Sequence, residues 1–222
     1  LEAVAQVSPK LRVRFSTSHP KDMLDDVLHV MAKYDNICEY IHLPVQSGNS
    51  EVLERMNRTY DRAWYMNRIE AIRRILANAA ISTDIIAGFC GETEEQHKET
   101  LSIMEEVKYE MAYMFFYSER PGTLAAKRYE DDIPEEVKKR RLTEIINLQR
   151  EHSLERNKSD LGKTFEVLVE KPSKRSEDDL CGRNSQNKMI VFPKGNAKVG
   201  AYVQVKVSDY SQAILKGEIV AE

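Results

Sequence analysis

Through the first two-thirds of the chain, short apolar runs alternate with stretches in which apolar residues recur every three or four positions. The runs are VRFS (Val13–Ser16), YIHLPV (Tyr40–Val45), STDIIAGF (Ser82–Phe89) and MAYMFFYS (Met111–Ser118). Their length and their β-branched and aromatic content predict strands. The intervening stretches predict helices. Pro20 stands at a first helical position ahead of Leu24, Val27, Leu28 and Met31, and Asn49 or Ser50 caps a short helix through Met56. A longer helix over about Tyr60–Asn78 turns Ile69, Ile72, Ile75 and Leu76 inward. Thr93 and Gln96 have capping-box spacing ahead of Leu101, Met104 and Val107. Strand–helix alternation of this kind predicts parallel βα units. Four units are too few to close an eight-stranded barrel, so the sheet is expected to be open or partial.

A long helix is expected next, from Pro134 at its first turn to about Asp160, with Gly162 placed to terminate it. Val137, Ile145, Leu148 and Leu154 make its apolar stripe. From Lys163 the period changes to two, in TFEVLVE, KMIVF, AYVQVKV and AILKGEIV, separated by turn clusters such as KPSKRSEDD and PKGNAKVG. That pattern predicts a small antiparallel β-barrel or sandwich. The expected division is therefore 1–161, an α/β domain with its long helix, and 162–222, an all-β domain.

Composition narrows the class without naming a reaction. The 222 residues are 41% hydrophobic and 31% charged, as in a soluble globular protein, with no apolar run long enough for a membrane span. Cys38, Cys90 and Cys181 are scattered and odd in number, which argues against a disulfide framework and for a reducing, cytoplasmic home. Charge is uneven. From Lys163 onward there are ten Lys and Arg against eight Asp and Glu, leaving 23 against 28 in the rest. The chain opens LEAVAQVSPKLRVRF without methionine, and the expectation is a piece of a longer protein.

Parallel βα architectures place their sites at the C-terminal ends of strands. Each run here ends in polar or special residues: Ser16 to His19, Gln46-Ser47-Gly48, Gly88 through Glu92 with Asp84 inside the strand, and Tyr117 through Thr123. Taken singly, each reads more readily as an ordinary polar loop; four together point to a shared site. The five histidines show no metal-ligand spacing, and there is neither a phosphate-loop lysine signature nor G-x-G-x-x-G. Cys90 has no His or basic neighbour in sequence to activate it as a nucleophile.

The stretches IHLPVQSGNSEVLERMNR, STDIIAGFCGETEE, YSERPGT and SKRSEDDLCGRNSQNKMIVFP resemble the C-terminal part of the MiaB-type tRNA methylthiotransferases, a branch of the radical S-adenosylmethionine (SAM) enzymes. The likeness runs from Val13 to Val220. It implies the later part of a partial (β/α)6 radical SAM barrel followed by a small all-β, OB-like TRAM domain that binds RNA. It implies SAM and two 4Fe-4S clusters as cofactors, an electron donor, and the anticodon arm of tRNA as partner. The implied reaction adds a methylthio group at C2 of an N6-isopentenyladenosine beside the anticodon. This chain departs from the family in lacking any C-x-x-x-C-x-x-C. The cluster ligands are therefore expected outside it, and the chain alone is expected to be inactive.

By the same resemblance Asp84 holds the cofactor ribose and Ile86, two residues on and on the same face, packs on its adenine. Gln46 and Arg58 grip the methionyl part, for which a guanidinium fork suits the carboxylate. Gly88 permits close backbone approach, and Glu92 assists at the next helix start. In the β domain Lys174, Arg175, Arg183, Asn184 and Lys188 are expected on one rim facing RNA, within a basic set that includes Lys171, Lys194 and Lys198. Alternatives are a methylthiotransferase for another tRNA adenosine derivative or for a ribosomal-protein aspartate, and a non-catalytic RNA-binding module.

Overall fold

In the computed structural model, which describes residues 1–16 and 19–220, three strands form one sheet in the order β1 (Tyr40–His42), β2 (Ala80–Ala87), β3 (Met111–Phe116). β2 and β3 are parallel, and beyond β1 a parallel bridge joins Gln46 to Ile85. The expected strand at Val13–Ser16 is reduced to one parallel bridge between Val13 and Ile37, with hydrogen bonds from Val13 N to Asn36 O and from Cys38 N to Val13 O. The run is too short to extend that ladder, because Arg12 and Arg14 on either side of Val13 are drawn into ion pairs with Glu166 and Glu170. Thr17 and Ser18, at the polar end of that run, lie outside the described residues.

The helices follow their caps. α1 (Glu2–Ala5) is a single turn, and Pro20 begins only a 3-10 turn, Pro20–Asp22, before α2 (Asp25–Lys33). Asn49 accepts from Val52 N to start α3 (Ser50–Arg55), and Asp61 accepts from Trp64 N to start α4 (Arg62–Ile75). The capping box at Thr93 and Gln96 is fully formed at the head of α5 (Glu94–Val107). A short helix that the periodicity does not show, α6 (Leu124–Arg128), is capped by Thr123.

α7 (Glu135–Lys158) is the long helix, but its buried face differs from the expected stripe. Lys138, Arg141, Ile145, Gln149 and His152 are buried, whereas Val137 and Leu148 are half-buried and Leu154 is exposed. A polar face can be buried here because its groups find partners: Lys138 pairs with Asp131, Arg141 with Glu92, and Gln149 Nε2 donates to Tyr109 O at 2.9 Å.

The period-two region forms a closed five-stranded barrel, ordered β4 (Thr164–Pro172), β5 (Asp179–Arg183), β6 (Met189–Pro193), β8 (Leu215–Ile219), β7 (Tyr202–Tyr210). All its pairings are antiparallel except β6 with β8. Val167, Val169, Leu180, Ile190, Phe192, Val205, Val207 and Leu215 fill it, as the alternating pattern requires. The chain divides into two compact units, one of residues 15–33 and 41–152 and one of 1–14, 34–40 and 153–222.

β2 shows why Asp84 is tolerated in a strand. Ile81, Thr83, Ile85 and Ala87 are buried on one face, while Asp84 and Ile86 on the other are only half-buried. On that second face the register sets Asp84 beside Tyr113 and Ile86 beside Phe115, both exposed aromatics of β3.

Candidate functional site

Gln46, Asp84 and Ile86 are tied together through the backbone. Gln46 N donates to Asp84 O at 2.8 Å, and Ile86 N donates to Gln46 O at 2.9 Å. Gln46 is buried with φ 68°, a left-handed conformation rare for a residue with a side chain, so the turn out of β1 is held by its neighbours rather than by local preference. The Asp84 carboxylate faces His42, with Nε2 to Oδ1 at 3.4 Å, and His42 Nδ1 lies 2.9 Å from Ser82 Oγ. The Tyr113 ring meets the His42 imidazole edge to face, 5.7 Å between centroids. His42, which carries no recognisable signal in the sequence, is thus the residue that orients Asp84. Only the strand pairing reveals it.

Arg58 follows α3 and the left-handed Asn57 (φ 58°), which turns the chain so that Arg58 N returns to Leu53 O at 2.9 Å. Its Nε is buried with no partner among the described residues, in an open depression with Ser50, Glu54, Tyr60 and Trp64. Tyr60 lines the same depression as Arg58, whereas Gln46, Asp84 and Ile86 do not. The Tyr60 hydroxyl donates to Pro44 O at 2.9 Å, and burial pushes its pKa up to about 12, with Arg58 acting to lower it and Asp84 to raise it. A buried guanidinium donor without an acceptor and a half-exposed carboxylate fit the carboxylate and the diol of a SAM molecule. For an iron–sulfur cluster the fit fails: among the described residues no three His, Cys, Asp or Glu side chains are grouped to hold a metal ion, and the three thiols are buried apart.

Gly88 and Glu92 belong to a different arrangement. Gly88 N donates to Glu92 Oε2 at 2.7 Å, and the same carboxylate accepts from Arg141 Nη1 at 3.0 Å. Arg141 also donates to Glu92 O and reaches Glu94, so α7 clamps the loop that leaves β2. Burial raises the Glu92 pKa despite the Gly88 N–H and Arg141. The close approach at Gly88 (φ 69°) is made by Lys138, whose Cγ lies 2.5 Å from where a Cβ would stand. Glu92 and Gly88 therefore shape the loop that leaves β2, and Glu92 Oε2 is engaged within the protein. Arg141, forty-nine residues from Glu92 in sequence, gave no sequence signal.

The structure does not bring the five expected RNA-facing residues to one rim. Lys174 and Arg175 are exposed in the turn before β5, whereas Arg183 ends β5 and Asn184 and Lys188 lie in the turn after it. Arg183 pairs with Glu170 at 2.6 Å and Lys188 with Asp160 at 2.6 Å. Asn184 is buried and accepts from Lys188 N at 2.9 Å, closing its own turn.

Comparison with known proteins agrees with this architecture. Residues 1–104 match the radical SAM superfamily model, and residues 158–220 match the TRAM domain model. The first part of the chain is thus similar to radical SAM proteins and its terminal part to TRAM domains. It is 61% identical over 220 residues to the tRNA-2-methylthio-N(6)-dimethylallyladenosine synthase of Amoebophilus asiaticus, covering 99% of this chain and 45% of that protein. The proteins of the same name from Phocaeicola vulgatus and Parabacteroides distasonis are each 56% identical, with 48% and 49% of their lengths covered. The chain thus spans about half the length of these relatives. A solved structure, coproporphyrinogen III oxidase from Escherichia coli, described as a radical SAM enzyme, superposes with a TM-score of 0.52 at 16% identity. It covers 75% of this chain and 45% of that one, a likeness of fold. Among the described residues no helix is long and apolar enough to cross a membrane.

Proposed function

We propose that this chain is the cofactor-positioning and RNA-binding part of a cytoplasmic radical SAM methylthiotransferase, acting at C2 of N6-isopentenyladenosine next to the anticodon of tRNA. The names of relatives matching 99% of the chain support the reaction, and one observation supports the site: Asp84 and Ile86 share the half-open face of β2, joined by backbone to Gln46, and the buried Arg58 Nε has no partner among the described residues. When bound, SAM would supply the radical chemistry; no group among the described residues is placed to hold the iron–sulfur cluster that this reading implies. What this chain contributes is placement. Arg58 binds the methionyl carboxylate, Asp84, oriented by His42, accepts from the ribose hydroxyls, and Ile86 covers the adenine. The TRAM barrel holds the tRNA.

In the full-length enzyme, Asp84→Ala and Arg58→Ala should each weaken SAM binding by roughly ten- to a hundredfold, the loss of a charge-assisted hydrogen bond of about 1.5–3 kcal/mol. Calorimetric titration showing unchanged affinity in both variants would displace the site. The competing reading, a module that only binds RNA, predicts that unchanged affinity.

A further inference from the structure

Two groups of cations at opposite ends of the barrel differ in how they are engaged. Around the turn after β5 they are consumed within the protein. Besides the Arg183 and Lys188 pairs, Arg12 donates to Arg183 O at 2.7 Å and pairs with Glu166 at 2.8 Å, and Arg14 pairs with Glu170 at 3.2 Å. Glu39 N donates to Ser185 Oγ at 2.9 Å, so this turn is covered by residues from the early part of the chain.

The opposite end of the barrel is different. Lys171, Lys174, Arg175, Lys194 and Lys198 are all exposed there, and none has an ion-pair partner among the described residues. Backbone bonds lock their two loops into one surface: Lys194 N donates to Asp178 O at 2.8 Å, Ser173 N to Asp179 O at 2.9 Å, and Gly200 N to Val169 O at 2.8 Å. Arg175 N and Asp178 N are fixed in turn by Ser173 Oγ and Ser176 Oγ. Glu177 and Asp178 are the exposed acidic residues of these loops, and neither engages the five cations.

We propose that this rim, formed by the β4–β5 and β6–β7 loops, is the surface that takes the phosphate backbone of RNA, and that the turn after β5 is not. The proposal deepens the reading of the barrel as an RNA-binding domain and rests on it. A cation already bonded to a carboxylate must give up that bond before it can neutralise a phosphate. A free one exchanges only its loosely held counterion, and release of the RNA's own counterions drives association. Contacts of this kind fix the register of an RNA without reading its bases.

The test uses this chain with an anticodon stem-loop RNA, measuring affinity across a salt series. One variant replaces Lys174, Arg175, Lys194 and Lys198 with Gln; the other replaces Arg183 and Lys188 with Gln. With a contribution of roughly 0.7–0.9 to the log–log salt slope per phosphate contact, the first variant should flatten the slope by about three. The second should keep the wild-type slope while melting at a lower temperature, since it breaks internal pairs. A wild-type slope in the rim variant, or equal flattening in both, would overturn the proposal. So would equal salt-dependent binding of a poly-glutamate peptide to the same rim, which would assign it to an acidic protein. If the unsubstituted chain shows no salt-dependent RNA binding, the RNA reading of the barrel falls and takes the rim with it.

Discussion

Replacing Arg141 with methionine keeps most of the side-chain volume and removes the guanidinium that spans Glu92 and Glu94. Both partners of the inner pair are almost wholly buried, at 3% and 1% side-chain exposure, so Glu92 would keep a charge in the interior with the Gly88 N–H as its remaining hydrogen bond and the nearby His97 as a weaker influence. Stranding a buried charge in this way costs about 3–5 kcal/mol. Loss of the Glu94 contact adds little, because that carboxylate is 44% exposed and regains water. At roughly 2–4 °C per kcal/mol for a domain of this size, the melting temperature should drop by about 6–20 °C.

The deficit should depend on pH in one direction. Glu92 already titrates above the ordinary 4.5 because burial outweighs its partners, and removing Arg141 moves it further up. A carboxyl whose folded pKa exceeds its unfolded one binds more protons when folded, so stability falls as pH rises through that window and recovers as pH falls toward 4.5. The gap between variant and wild type should be widest near neutrality and narrow on acidification. The single Trp64 lies in the same compact unit and reports its unfolding by fluorescence in urea. A loss under about 1 kcal/mol, a deficit unchanged down to about pH 5, or no recovery when Glu92→Gln is added would refute the account of the loop.

Other predictions follow from the same packing. Gly88→Ala should cost about 1–3 kcal/mol in urea unfolding, because φ is 69° and the new methyl would meet Lys138; a neutral result contradicts the close approach. Tyr65→Phe should cost about 1–3 kcal/mol, since the buried hydroxyl donates to Leu43 O at 2.8 Å and accepts from Tyr109 at 3.0 Å; the loss should be flat through neutral pH, burial having pushed both phenols up. Burial also pushes the thiols of Cys38, Cys90 and Cys181 up, so iodoacetamide should label them only on unfolding, and rapid labelling of any native thiol would count against it.

Local signals in this chain were legible wherever the physics was local. The caps at Asn49 and Thr93 and the alternation within the barrel are set by neighbours a few residues apart, and they appear as the sequence pattern predicts. The buried face of α7 was misread because periodicity counts apolar residues, whereas Lys138 and Arg141 are buried by virtue of Asp131 and Glu92, partners distant along the chain or hidden in a loop. The RNA-facing set failed for a related reason. Arg183 and Lys188 look as free in sequence as Lys174 and Arg175, and only the fold shows that Glu170 and Asp160 have claimed them. Of the residues proposed for the cofactor, Asp84 stands out by being charged within an apolar strand, while His42, whose Nε2 faces it, does not.

The discontinuity of the terminal unit has a consequence for how the chain is made. Within this sequence, the stretches of the unit 15–33 and 41–152 have all been made once His152 has left the ribosome, whereas the other unit needs stretches 1–14 and 34–40 together with 153–222. Arg12 therefore waits for Glu166 and the Arg183 carbonyl while some 150 to 170 further residues are added, about ten to thirty seconds at ordinary elongation rates. Closure waits longer still, because β8, latest in sequence, is the strand that joins β6 to β7. A nascent chain halted before Leu215 would present two open strand edges at once, the form of this protein most exposed to chaperones and to aggregation.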